Sequence, residues 1–276
     1  MDSKEESFSK AILESIERQP VLLGELPEAK ILELGTFDER GPVLLDFRQK
    51  LGHLYEDAFW ALMQSSRRYE PMERNIQIFG PEGATLGELD FLLKDCESGR
   101  WVHVEFAVKF YLAWRGHDGC CRFIGPDPRD SWESKLERMK ERQLRLGLSE
   151  VGASFLSETY GVDALEVRQR VYGIIFHHIS DVNSEAPERV SSNYSKGRWL
   201  YRSQLTEFLP KPENVWVIPK CLWPCSITPG LLKHLEQYPA VKLRESAKDH
   251  AIMIWDDARS EKVFLLEDYW PQARLK

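Results

Sequence analysis

Two neighbouring segments in which apolar and polar residues alternate constrain the fold of this chain most strongly. Residues 87–93 and residues 101–111 both have the period of two that is typical of half-buried β-strands. Residues 95–99, between them, have the composition of a tight turn. The second segment has one unbroken apolar face, formed by Val102, Val104, Phe106, Val108 and Phe110. The sequence therefore predicts a β-hairpin.

The opposite face of this hairpin carries two carboxylates. If the turn is symmetric about Glu97 and Ser98, Asp90 lies opposite Glu105, and directly opposed residues have Cβ atoms roughly 4.5–5.5 Å apart. Two carboxylates at that separation repel each other unless a proton or a cation lies between them. Since Mg²⁺ is bound by one or two carboxylates together with water and phosphate oxygens, the pair predicts a site for Mg²⁺ or Mn²⁺.

Lys109 lies on the same face as Glu105, two pleats further along the strand. There it would hold a scissile phosphate or help to deprotonate an attacking water, with Glu88, on the face of Asp90, as its ion-pair partner. Two acids and a lysine on one face suit metal-assisted hydrolysis of phosphodiesters. The alternative is a hairpin whose charged face simply contacts water. A one-residue change in register would also separate the two acids.

These residues resemble the PD-(D/E)XK nuclease superfamily, whose α-β-β-β-α-β core has an Asp on the second strand and a Glu-x-Lys on the third. The sequence predicts elements in a similar order: a helix at about 47–64, a strand at 75–79, the two hairpin strands, a helix at about 131–146 and an apolar strand at 171–176. The predicted fold class is therefore α/β, with a restriction-endonuclease-like core and a mixed sheet that is elaborated at both termini.

Within that superfamily, the chain resembles an uncharacterised bacterial family, domain of unknown function family 1853. The resemblance is carried by residues 87–90, 105–111 and 125–130 and runs through most of the chain. It implies that Asp90 and Glu105 are the metal-binding acids. It also implies that Glu56, in the first predicted helix, is a further acid that assists metal binding.

The lysine departs from the superfamily pattern. The position two residues after the Glu holds Ala107, and Lys109 lies about 7 Å further along the strand. Three explanations stay open: Lys109 reaches back, a base from a helix replaces it, or the site is inactive. Lys135, in the helix predicted at 131–146, is a candidate for that base, although a surface charge is its simpler interpretation. Arg129, just before this helix, would add a contact to phosphate.

The amino-acid composition limits the classes of protein to which this chain can belong. The chain of 276 residues is 42% hydrophobic and 29% charged, as in ordinary globular proteins. It has no run of about 18 apolar residues, so we expect no membrane span. A charged N-terminus without an apolar run predicts a cytoplasmic protein, and five cysteines fit a reducing compartment. The net charge of −7 argues against a broad surface for nucleic acid but leaves room for a local basic cleft.

We expect three parts: an N-terminal elaboration (1–46), a nuclease-like core (47–180) and an aromatic-rich β elaboration (181–276) that packs on the core or forms a small subdomain. The late aromatic residues either fill a core or stack on bases of single-stranded nucleic acid. The predicted function is metal-dependent hydrolysis of phosphodiester bonds in DNA or RNA. The alternative is a nuclease-like fold without turnover that binds nucleic acid or a protein partner. The sequence leaves the oligomeric state open.

Overall fold

The computed structural model describes residues 3–181, 185–208, 215–245 and 251–272. Its α-helices are α1 (Lys4–Arg18), α2 (Leu51–Met63), α3 (Trp132–Glu141), α4 (Glu150–Tyr160), α5 (Leu205–Phe208), α6 (Pro229–Leu232) and α7 (Ala240–Glu245). Its strands are β1 (Lys30–Ile31), β2 (Tyr69–Phe79), β3 (Thr85–Asp95), β4 (Trp101–Arg115), β5 (Cys121–Ile124), β6 (Leu165–His178), β7 (Ser195–Tyr201), β8 (Val215–Ile218), β9 (Glu236–Tyr238), β10 (Ile252–Asp256) and β11 (Glu261–Leu266).

These strands form one mixed sheet. Its order is β2-β3-β4-β6-β7-β11-β10-β8-β9, with β1 beside β6 and β5 beside β4. The neighbours β2, β3 and β4 are antiparallel, whereas β4, β6, β7 and β11 form successive parallel pairs. Parallel neighbours need a crossover connection, and the one between β4 and β6 contains α3 and α4. The chain is therefore a mixed α/β protein, as the sequence predicts.

The predicted hairpin is formed by β3 and β4. The register pairs Phe91 with Val104, which is the predicted one. Regular pairing ends there, one position before Asp90 and Glu105. At the other end, the side chain of Asp95 closes the turn by accepting hydrogen bonds from two backbone N–H groups.

The helix α2 covers one face of the hairpin. The ring of Phe59 lies 4.7 Å from that of Phe91 and 4.8 Å from that of Phe106, measured between centroids. The helix begins at Leu51, later than predicted, because the preceding residues form a turn in which Asp46 accepts the N–H of Arg48. Its buried residues form an apolar stripe along the helix: Leu54, Tyr55, Ala58, Phe59, Leu62 and Met63.

The helix α3 covers the opposite face of β4 and is shorter than predicted. Ser131 caps its start by accepting the N–H of Ser134. The α-helix ends at Glu141, and Arg142 has φ −130° and ψ −66°, outside the helical region. Residues 143–148 continue as a 3₁₀-helix. This break changes the direction in which the following side chains point.

The edge strand β2 begins earlier than predicted, at Tyr69 rather than near 75. A bulge lies between Pro71 and Glu73, and Asn75 has a positive φ of 55°. Both features interrupt the alternation from which the strand is recognised in the sequence. At the other edge of the described sheet, β9 has only three residues.

The C-terminal strands extend this sheet and do not form a separate one. The β elaboration predicted for this part of the chain includes β8, β10 and β11, and β10 and β11 form a second hairpin. The apolar segment at 171–176 lies within β6, in the middle of the sheet. Trp199, Trp223 and Trp270 are buried, so these aromatic side chains fill the core. In the described ranges, no helix combines the length and apolarity needed to cross a membrane.

The parallel contact between β4 and β6 depends on a glycine. Gly173 is paired with Lys109 and has a φ of +149°, and a Cβ built there would lie 1.7 Å from the carbonyl oxygen of Lys109. We expect Gly173→Ala to lower the free energy of unfolding by at least about 3 kcal/mol, since it combines a steric clash with a strained backbone. Urea unfolding measures this loss.

The matched control is Gly41→Ala. A Cβ at Gly41 meets no described atom within 4 Å, so this variant should unfold like the wild type. If Gly173→Ala were equally stable, the close approach of β6 to β4 would be wrong.

Candidate active site

Asp90 and Glu105 lie at the point where regular pairing of β3 with β4 ends. The backbone N–H of Phe106 donates a hydrogen bond to Oδ2 of Asp90, at 2.9 Å, in place of a carbonyl oxygen of β3. This contact holds the Asp90 carboxyl group over β4. Asp90 is half-buried, whereas Glu105 is only 1% exposed.

The face of β4 that carries Glu105 is covered by α3. Tyr111 and Ala113, on the same face, share one apolar cluster with Trp132 and Leu136 of α3. A side chain with this parity therefore points into the protein, and the alternative of a charged face in water does not hold for Glu105. A buried carboxylate needs hydrogen bonds or a counter-charge.

Two side chains from the α3 region meet Glu105. The ammonium group of Lys135, a residue that is 7% exposed, lies 3.4 Å from Oε1 of Glu105. It also donates to the side-chain oxygen of Gln143 at 3.0 Å, and the amide nitrogen of Gln143 donates to the same Oε1 of Glu105. Oε2 of Glu105 is buried and has no hydrogen-bond partner among the described residues. Oε1 of Glu105 thus accepts hydrogen bonds from two side chains, whereas Oε2 accepts none from the described residues.

Burial dominates the electrostatics of the two acids. It raises the pKa of Asp90 well above its usual value, and the nearby Glu105 raises it further, while the N–H of Phe106 acts in the opposite direction. Burial also raises the pKa of Glu105, and the charge of Lys135 opposes that shift. Burial thus disfavours the charged form of both carboxyl groups, and a cation beside them would act in the opposite direction.

Glu56 brings a third acid near the pair. It is half-buried on α2, and its carboxylate lies 3.0 Å from Nδ1 of His53. Its charge raises the pKa of both Asp90 and Glu105. The described residues nevertheless contain no group of three or more His, Cys, Asp or Glu side chains placed to hold a metal ion.

Lys109 is held elsewhere. Its ammonium group donates to Oδ2 of Asp130 at 2.7 Å, and Arg138 lies 3.5 Å from the other oxygen of Asp130. Asp130, rather than the exposed Glu88, is thus the partner of Lys109. Arg129 is 90% exposed and pairs with a neighbouring acid, Asp127. The structure therefore brings Lys135 to the two acids and gives Lys109 a different partner.

Sequence reasoning missed Gln143 and the role of Asp130. The signal for Gln143 is its place on the apolar side of the helix predicted at 131–146, because a polar residue at a core-facing position needs a buried partner. His103, two residues before Glu105, is buried with no hydrogen-bond partner for either ring nitrogen among the described residues. Burial lowers the pKa of His103 to about 4, so it adds no charge to the site at neutral pH.

Comparison with known proteins gives one match. The family model described as Domain of unknown function (DUF1853) matches residues 2–255, which is nearly the whole chain. No curated protein and no solved structure matches the chain.

The raised pKa of Asp90 makes stability depend on pH. Between its unfolded and native pKa values, the unfolded chain releases a proton that the native state retains, so wild-type stability falls as the pH rises through this window. Above this window, each pKa unit by which the native value exceeds the unfolded value lowers the free energy of unfolding by about 1.4 kcal/mol. Asp90→Asn does not titrate and keeps an acceptor for Phe106. We therefore expect it to be more stable than the wild type at pH 7.5, with an advantage that disappears below about pH 4.

Urea unfolding between pH 3.5 and pH 8 measures this difference. Asp127→Asn is the control, because Arg129 lowers the pKa of Asp127 to about 2 and its removal should bring no gain at neutral pH. An Asp90→Asn protein that is less stable than the wild type at pH 7.5 would show that the carboxylate is stabilised in the native state, contrary to the geometry.

Proposed function

We propose that this chain, which belongs to the DUF1853 family, is a metal-dependent nuclease that hydrolyses phosphodiester bonds of DNA or RNA. One observation carries the proposal: the buried Oε2 of Glu105, which has no hydrogen-bond partner among the described residues. A buried carboxylate oxygen in this state favours a proton or a cation. The ammonium group of Lys135 lies 3.4 Å from the other oxygen of the same carboxylate, Oε1, and Asp90 is close enough for the charge of Glu105 to raise its pKa.

The order of the elements supports the proposal. A helix (α2), three antiparallel strands (β2, β3 and β4), a crossover with a helix (α3) and a strand parallel to β4 (β6) follow each other along the chain. This order resembles the PD-(D/E)XK core, and the two acids lie on its second and third strands. We therefore assign this stretch as a nuclease-like core within the larger sheet.

The donor set fits a hard divalent cation. Mg²⁺ binds through one or two carboxylates and keeps several waters, so Asp90 and Glu105 suffice as direct ligands for Mg²⁺ or Mn²⁺. Glu56 would contribute to metal binding through a water, since its charge raises the pKa of both acids. When bound, the ion supplies a Lewis acid and lowers the pKa of a coordinated water.

We assign to Lys135 the role of the superfamily lysine, whose position two residues after the Glu is occupied by Ala107 in this chain. Lys135 reaches the acids from α3, which corresponds to the second explanation left open by the sequence, a basic group supplied by a helix. Its charge would hold the scissile phosphate beside Asp90 and Glu105 and stabilise charge that develops there. Gln143 orients both Glu105 and Lys135.

Calorimetry and cleavage assays test the proposal together. We expect the wild type to bind Mg²⁺ or Mn²⁺ and to cleave labelled oligonucleotides only with the metal, and we expect Asp90→Asn to lose both properties. Lys135→Met should keep metal binding but lose about 10²-fold or more in kcat. Lys109→Met, whose ammonium group is held by Asp130, should lose less than about tenfold.

Metal binding by the Lys135→Met protein also shows that it is folded. An equal loss in both lysine variants would return the catalytic role to Lys109. If neither the wild type nor Asp90→Asn binds metal, the nuclease proposal is wrong, and the alternative of a binding module without turnover takes its place.

A further inference from the structure

A groove runs along α1, on a part of the surface that the candidate active site does not use. Its volume is about 850 Å³. One wall is the face of α1 from Ser7 to Arg18, and the other is the segment from Ser226 to His234. The apolar side chains Ala11 and Leu231 contribute to its lining.

Hydrogen bonds join the two walls at both ends of this α1 groove. Near the start of α1, the hydroxyl group of Ser7 lies 3.2 Å from Nε2 of His234. At the other end, the amide of Gln19 donates to Oγ of Ser226 at 2.6 Å. The separation of the walls is therefore set by the fold.

The α1 groove is cationic in an acidic protein. Lys10, Arg18 and Lys233 line it and are exposed, against a single acid in the lining, Glu14. In the described part of the chain, none of the three cations has a carboxylate within 4.0 Å, although most other arginines are ion-paired. The whole chain has a net charge of −7, so the excess of positive charge in this lining is local. Lys10 and Arg18 also border a neighbouring cavity that contains Glu6, Glu17 and Glu39. Cations left without partners in a groove predict an anionic occupant.

The dimensions favour a single extended polyanion. From Ser7 to Arg18 the helix rises about 16 Å, so the volume corresponds to a mean width of about 7 Å. A duplex is too wide, since its major groove alone measures about 12 Å. Lys10 and Arg18 are about 12 Å apart along the helix axis, the span of a few successive phosphates in one strand.

We propose that the α1 groove binds the sugar-phosphate backbone of single-stranded nucleic acid. Lys10, Arg18 and Lys233 contact phosphates, and Ala11 contacts a sugar or a base. The choice of nucleic acid over another polyanion rests on the proposed function, because nucleic acid is the polyanion on which that function acts. The α1 groove lies on the α2 side of the sheet, whereas Glu105 faces α3, so the groove is a second contact and not part of the candidate active site.

Fluorescence anisotropy with a labelled oligo-dT 12-mer, in EDTA, tests the inference without any need for catalysis. The test variant carries Lys10→Gln, Arg18→Gln and Lys233→Gln. Loss of three phosphate contacts should reduce the slope of log Kobs against log salt by about 2 and weaken binding at least about tenfold at 0.1 M salt. A duplex of the same length should bind much more weakly than the single strand.

The matched control changes three other exposed lysines that have no ion-pair partner in the described residues: Lys30→Gln, Lys50→Gln and Lys196→Gln. It has the same net charge as the test variant and should bind within about twofold of the wild type. Equal slopes for test and control variants, or no binding by the wild type, would overturn the inference. Displacement of the oligonucleotide by an equal charge concentration of poly-glutamate would also overturn it, in favour of an acidic peptide.

The two proposals fail in different ways. If binding depends on the α1 groove but no cleavage occurs in Mg²⁺ or Mn²⁺, the nuclease proposal is wrong and the groove proposal stands. Cleavage that depends on Asp90, with binding unchanged by the triple substitution, would do the opposite. Asp90→Asn in EDTA should bind the oligonucleotide at least as tightly as the wild type, because it removes a negative charge.

Discussion

The parallel pairing of β4 with β6 is the constraint on which the candidate site depends. The two strands are in register over 13 positions, from Trp101 beside Leu165 to Ala113 beside His177. Parallel strands cannot be joined by a tight turn, so the chain must cross over one face of the sheet. That crossover contains α3 and covers the face of β4 on which Glu105 lies. The topology thus buries a strand that carries polar side chains on its covered face.

The charged side chains on this covered face of β4 have different partners. Glu105 receives Lys135 and Gln143, and Lys109 receives Asp130, all from the crossover. Burying a charge without a partner costs several kcal/mol, so these pairs are a condition of folding as much as a feature of the site. The compensation is incomplete at one oxygen of Glu105, where the half-buried acid on β3 adds repulsion. His103 and the hydroxyl group of Tyr111, on the same face, also lack hydrogen-bond partners among the described residues, but they carry no charge there. Incomplete compensation of a charged group is typical of functional sites in otherwise consistent folds.

The sequence predicts those features that follow from local periodicity. The alternation around Phe91 and Val104 gave the hairpin and its register, and the apolar stripe gave α2, because both patterns are set by neighbours along the chain. The lysine assignment depended on more. Lys135 reaches Glu105 because the crossover places α3 on the covered face of β4, which is a tertiary contact. Gln143 follows the end of α3, in the 3₁₀ segment, and no periodicity in the sequence indicates that break. The helix α4 and the strand β1 were not predicted, since their placement rests on tertiary packing.

The irregular edge of the sheet has a consequence for the behaviour of the protein at high concentration. An exposed edge strand offers free N–H and C=O groups to other chains and is a common starting point for aggregation. Along β2, Pro71 removes one donor, the bulge shifts the pleat, and the left-handed Asn75 breaks the row again. The opposite edge, β9, is too short to template a long ladder. The described borders of this sheet are therefore poor templates for the strand of another chain.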